Sequence, residues 1–218
     1  MTETTASPPL RGISPSMLLF AVVYGGLVVV AGVLGVKIVA IGPLTVEAGI
    51  FAFLQLVVLS SAVNELHGPA AANRLVRFGF IPLILSALLI QLVIALPAAG
   101  FWDKQAEYQL ILAQGSRLMA AGLISYGISQ TLNVYIFDRL RSGTGRMVWL
   151  RGGIAAVISQ LVDTTLFITI AFAGVEGYDL PQLLIGALTA KIFLSIIMVP
   201  LFVQLAVALG RWVDARFA

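Results

Sequence analysis

The chain has no cysteine and one histidine among its 218 residues. The first absence excludes disulfides, thiolate chemistry and any cysteine-based metal site, and leaves the compartment open. The second leaves His67 as the sole imidazole, beside Gly68 and far in sequence from the serine-bearing middle of the later segments. An intramembrane serine hydrolase needs a serine and a histidine in partnership, and His67 is not expected to meet the serines of those segments. H-E-x-x-H, paired-Asp metal patterns and the G-x-x-x-x-G-K-[ST] phosphate loop are also missing. No metal, cofactor or enzymatic activity is expected.

Charge is scarce as well. Only 11% of residues are charged, 60% are hydrophobic and the mean hydropathy is +1.03, outside the balance of a soluble domain. These values predict an integral membrane protein.

Apolar runs of spanning length lie at 16–37, 46–66, 78–100, 116–137, 151–174 and 182–209. They predict an all-α protein with six transmembrane helices forming one domain over 16–210. The Ser/Thr/Pro-rich residues 1–15 form a disordered tail with too little apolar area to order itself, and 211–218 form a short second tail. The first run exceeds the apolar core of a cleaved signal and lacks a small-residue cleavage site before Lys37. The last can tilt, or kink at Pro200.

Basic residues orient the bundle. With the N-terminus inside, one face receives Arg11, Arg74, Arg77, Arg139, Arg141, Arg146, Arg151, Arg211 and Arg216. The other receives Lys37, Lys104 and Arg117, with Glu47, Asp103, Glu107, Glu176 and Asp179. The positive-inside rule then places both termini in the cytoplasm of a cell bounded by this membrane. The net charge of +3 needs no nucleic-acid partner, because inner-face loops and anionic headgroups account for it.

Polar residues inside the runs fall on stripes. Gln160, Asp163, Thr164 and Phe167 share one helical face, and Tyr126, Gln130, Asn133 and Phe137 share another. Ala121, Ser125 and Ser129, and likewise Gly152 and Ala156, recur every four residues, as in close helix packing. Amides alone can be interhelical glue, whereas an acid at mid-span marks a cavity or a partner. Asp163 therefore leads the candidates. Glu65, with Ser61 one turn earlier, and Lys191, about ten residues into the last run, are either interfacial groups or members of a buried set of compensating charges. Glu65 or Asp163 could also carry a proton, because desolvation favours the uncharged form of a carboxyl group.

The segments ISQTLNVYIF (128–137) and ISQLVDTTLF (158–167) share Ile, Ser, Gln and Phe at equal offsets, with Asn facing Asp. Their helices run in opposite directions, so the echo suggests equivalent positions approached from opposite faces, as in inverted repeats.

The pattern ISQ-x-x-[ND]-V-x-I-F-x-x-L-R at 128–141, W-L-R at 149–151 and S-Q-x-x-D-T-x-x-F at 159–167 resembles the queuosine precursor transporter family. That family belongs to a wider six-helix group of vitamin uptake transporters. Lys37, Gly42, AGI at 48–50, E-x-x-G at 65–68 and Gly79 agree with it. The chain departs where Ser61 replaces an acid one turn before Glu65, where Asn133 replaces an Asp, and where GVLG precedes Lys37. The resemblance implies import of a 7-deazaguanine such as 7-cyano-7-deazaguanine or its aminomethyl relative, for the tRNA base queuosine. Asp163 or Glu65 would accept the paired N–H donors of the base, Gln130, Asn133 or Gln160 would donate to its carbonyl, and Tyr126, Phe137 or Phe167 would stack on the ring. The alternative is another small planar nutrient, moved by a carrier or held by the binding subunit of a larger transporter. A pore would instead line several helices with polar groups and need not saturate. Energy source and oligomeric state, including a homo-oligomer or an energising partner, stay open.

Overall fold

A computed structural model describes residues 12–34, 37–41, 44–112, 116–140, 147–174 and 180–217. The expected tail up to Arg11, and Arg141, Arg146, Glu176 and Asp179, lie outside the described residues, as do the side chains of Glu47 and Arg117. The described elements are helices α1 (Pro15–Leu34), α2 (Gly49–His67), α3 (Pro69–Ala95), α4 (Gln105–Leu112), α5 (Ser116–Arg139), α6 (Val148–Phe172) and α7 (Leu180–Phe217). A two-stranded antiparallel hairpin, β1 (Ile38–Ile41) and β2 (Leu44–Glu47), joins α1 to α2 in the register Ile38↔Glu47 and Ile41↔Leu44.

Apolar helices of this length bury their backbone polarity internally, which is what a bilayer demands. α1, α2, α3, α6 and the Leu184–Phe217 part of α7 are long and apolar enough to cross a membrane. α5 is as long as these but is not among them, because Ser125, Ser129, Gln130 and Asn133 dilute its apolar content. The side chains of Phe78, Ile81, Leu85, Leu88 and Leu92 stand outward from α3, as a lipid-facing surface requires.

Four boundaries differ from those the sequence predicts. The second apolar run was expected from 46, but β-branched Ile38, Val39, Ile41 and Val46 favour pairing and the hairpin takes residues 44–47. The third was expected over 78–100, yet α3 starts nine residues earlier, with Pro69 in its first turn after Gly68 (φ 81°). It ends before Leu96, which takes an extended conformation (ψ 144°) ahead of Pro97. The expected C-terminal tail is helical through Phe217, and Val213 within it is buried.

α2 is the hub, packed against α1, α3, α5, α6 and α7. The core combines Phe20, Tyr24 and Val28 of α1 with Ile50, Leu56, Val57 and Val63 of α2, Val76 of α3, Val134 of α5, and Val199 and Val203 of α7. Close approaches depend on glycine. A Cβ on Gly152 would lie 3.1 Å from Val203 Cγ2, so the small face of α6 brings α7 near. Both ends of the described chain meet: Ser16 N and Oγ donate to Asp214 Oδ1 (2.9 Å) and Oδ2 (2.7 Å), and Ser16 Oγ lies 2.8 Å from His67 Nε2. This end of the bundle is called the terminal end below.

Candidate binding cavity

A cavity of about 190 Å³ opens in the half of the bundle remote from the terminal end. Its size lies below the ~300–1,000 Å³ of drug-sized pockets, which suits a small molecule. Val33, Gln91 and Ile111 stand exposed at its rim. Its floor is made by Asp163 of α6 and Lys191 of α7, each 4% exposed.

Helical spacing sets this floor. Asp163 and Thr164 follow Gln160 by one turn on the face of α6 that meets α5 and α7. Asp163 Oδ1 accepts from Ser129 Oγ of α5 at 3.2 Å, and Oδ2 lies 3.4 Å from Lys191 Nζ. Lys191 Nζ also stands 5.7 Å from the centroid of the Phe53 ring. A buried acid and a buried ammonium each carry a large desolvation cost, offset only by good pairing. Their position at a cavity floor in an apolar bundle is the mark of a functional site.

The wall is aromatic. Tyr126 lines the cavity between Phe53 (centroids 5.7 Å, 74°) and Phe80 (5.3 Å, 86°), and its hydroxyl donates to that of Tyr24. Phe53 and Phe167 line the cavity too. Flat apolar faces above an acid and an amine suit a planar heterocycle with both donors and acceptors on its edge.

Below this floor, toward the terminal end, the polar groups continue. Ser60 Oγ lies 3.0 Å from the Val57 carbonyl and 3.3 Å from Gln130 Oε1. Asn133 Nδ2 donates to Ser60 Oγ (3.0 Å) and Ser61 Oγ (3.4 Å), and Asn64 Nδ2 donates to the Val134 carbonyl (3.0 Å). Gln130 Nε2, Asn133 Oδ1, both amide atoms of Gln160, Thr164 Oγ1 and Ser195 Oγ are buried without a hydrogen-bond partner among the described residues. Each such atom costs about 1–3 kcal/mol.

Deeper still, Arg151 Nη2 donates to Glu65 Oε2 at 2.5 Å, with both side chains buried. The Arg151 guanidinium stacks 5.0 Å above the Phe137 ring.

Of the residues singled out from sequence, Asp163, Lys191, Tyr126 and Phe167 thus line the cavity together. Gln130, Asn133 and Gln160 are buried beside it toward the terminal end, and Glu65 and Phe137 lie farther in that direction, against Arg151. Asp163 pairs with Lys191, and Glu65 with Arg151. Sequence reasoning gave no site role to Arg151, which it counted as an orienting charge and as the last residue of W-L-R, or to Phe53. Arg151 begins the four-residue stripe Arg151, Ala155, Ser159, all buried; that spacing of small residues was the available signal.

A multi-helix membrane protein with a charged, aromatic-walled cavity for a small molecule is the class these features define. Residues 47–205 match the family model described as "Putative vitamin uptake transporter". The chain belongs to that family of membrane transporters, which are not enzymes. It is 30% identical over 168 residues to the "Probable queuosine precursor transporter" of Bacillus subtilis (strain 168), across 76% of this chain and 73% of the relative. It is 26% identical over 124 residues to the "Queuosine precursor transporter" of Escherichia coli (strain K12), across 57% of this chain and 54% of that relative. No solved structure matches the chain.

Proposed function

We propose that this protein imports a queuosine precursor, a 7-deazaguanine base, across the plasma membrane of the cell. The observation that carries this reading is the Asp163–Lys191 pair at the floor of an aromatic-walled cavity. A deazaguanine presents two adjacent N–H donors and a carbonyl on one edge. The carboxylate of Asp163 accepts the two donors, the ammonium of Lys191 donates to the carbonyl, and Tyr126, Phe53 or Phe167 covers the ring. The names of both relatives support the same cargo.

Six crossings fit this role. α5 has 24 residues, about 36 Å at 1.5 Å per residue, which exceeds the ~30 Å hydrocarbon core. Its polar stripe turns inward, where Ser125, Ser129, Gln130 and Asn133 are buried. The short α4 then stays at the surface. The Ser16–Asp214 contact supports a topology in which both ends of the described residues lie on one side, and the arginines near them support that side being the cytoplasmic one. The cavity accordingly faces outward.

Uptake of radiolabelled 7-cyano-7-deazaguanine by cells unable to make it tests the reading, comparing wild type with Asp163→Asn at matched expression. Saturable uptake by wild type, lost in the variant, supports it. Absence of uptake by wild type overturns it and turns attention to other small planar nutrients.

A further inference from the structure

Below the cavity floor, Gln160 is fully buried with neither its Nε2 nor its Oε1 hydrogen-bonded among the described residues. Thr164 Oγ1 shares its stripe on α6, and Gln130 Nε2 and Asn133 Oδ1 are unpartnered on the buried stripe of α5. A helix bundle in lipid has every reason to fill such positions with Leu or Ala, because no bulk water is present to satisfy an amide. These amides therefore offer hydrogen-bonding capacity that the described residues do not use. Between them they offer donors and acceptors, and none carries a formal charge.

The echo between 128–137 and 158–167 gives the cluster a geometry. Ser129, Gln130, Asn133 and Phe137 on α5 correspond to Ser159, Gln160, Asp163 and Phe167 on the antiparallel α6. The acid and aromatic of the second set lie at the outer cavity. The matching amide and aromatic of the first set lie toward the cytoplasmic end, where the Arg151 guanidinium covers the Phe137 ring and is held by Glu65. Inverted repeats place equivalent positions on opposite sides of the midplane.

We propose that the protein holds its cargo at a second, inner position built from Gln160, Gln130 and Asn133, with Phe137 as its aromatic wall once Arg151 withdraws. This rests on the reading of the cargo as a neutral, planar, hydrogen-bonding base. Neutral amides bind such a base more weakly than the charged outer pair does, so cargo passing inward meets a site it can leave. Conduction through successive sites requires that difference.

The test compares wild type with Gln160→Met, which keeps shape and removes only the unpartnered amide. Purified full-length protein is assayed for equilibrium binding of 7-cyano-7-deazaguanine, and proteoliposomes for its transport. We expect binding within twofold of wild type and transport reduced at least tenfold. Unchanged transport would overturn the inner position and leave the amides as hydrated structural groups. Binding that falls in parallel with transport would merge them with the outer site and overturn it as well. Should Gln160→Met fail to fold, Gln130→Met, which removes the unpartnered Nε2 of another residue of the inner position, carries the same comparison. Failure of the wild-type protein to bind the base would instead bring down the cargo reading itself.

Discussion

Lys191 Nζ stands 3.4 Å from Asp163 Oδ2 with both side chains about 95% buried, at 5% and 6% exposure. Neither charge has bulk water to fall back on, so each depends on the other. Asp163→Asn should cost about 3–5 kcal/mol by stranding the ammonium, and should abolish uptake. The double variant Asp163→Asn with Lys191→Met removes both charges and should recover most of the thermal stability while uptake stays lost. Thermal unfolding in detergent alongside uptake separates the two effects. Recovery of uptake in the double variant would remove the pair from the binding site.

Glu65 and Arg151 make the complementary case toward the terminal end. Glu65→Gln leaves a buried guanidinium whose Nε and Nη1 have no partner among the described residues, and a loss of about 3 kcal/mol is expected. Exchanging the pair, Glu65→Arg with Arg151→Glu, should restore much of that stability, apart from ~0.5–2 kcal/mol of contact between Arg151 and Phe137. A double-mutant cycle on melting temperatures measures the coupling. Additive losses would show that the two residues do not act as a pair.

Gly79 supports the cavity from behind. A Cβ at this position would lie 2.5 Å from Tyr24 Cε1, and Tyr24 is fully buried and accepts the hydroxyl of Tyr126. Gly79→Ala should therefore destabilise by about 1–3 kcal/mol through overpacking and weaken cargo binding by moving Tyr126. Unfolding temperature and binding affinity measured on the same preparation check both parts. Wild-type affinity together with a lowered melting temperature would separate Tyr24 from the site.

How much of this was legible depended on whether the cause was local. The starts and ends of α1, α5 and α6 follow the apolar runs to within three residues, since nothing competes with spanning length there. α3 escaped at its start because Arg74 and Arg77 read as loop; long cationic side chains reach outward from the first turns of a helix without breaking it. The hairpin escaped because four-residue strands are too short to stand out beside an apolar run. At the cavity, Asp163, Tyr126 and Phe167 were legible from helical spacing alone. The contact between Glu65 and Arg151 was not, because it joins α2 to α6 across 86 residues and only tertiary packing creates it.

Selectivity follows from the arrangement of donor and acceptor at the cavity floor. Asp163 accepts and Lys191 donates, which matches a guanine-type edge carrying N–H donors beside a carbonyl. An adenine-type edge sets an amino donor against the ammonium and lacks the ring N–H, so at least one buried group is left unpaired. At about 1–3 kcal/mol per unpaired group, and 1.4 kcal/mol per tenfold, adenine-type analogues should compete roughly 10- to 100-fold less well than guanine-type ones. Removing the exocyclic amine from a guanine-type base should have a similar effect, because it vacates one oxygen of Asp163. Lys191→Met should weaken binding of guanine-type bases and shrink their advantage over adenine-type ones, since the repelling ammonium is gone. Competition against radiolabelled 7-cyano-7-deazaguanine in wild-type and variant cells tests all three expectations. Equal competition by both classes in the wild type would mean that the floor does not read the edge of the base, and that shape and stacking alone select the cargo.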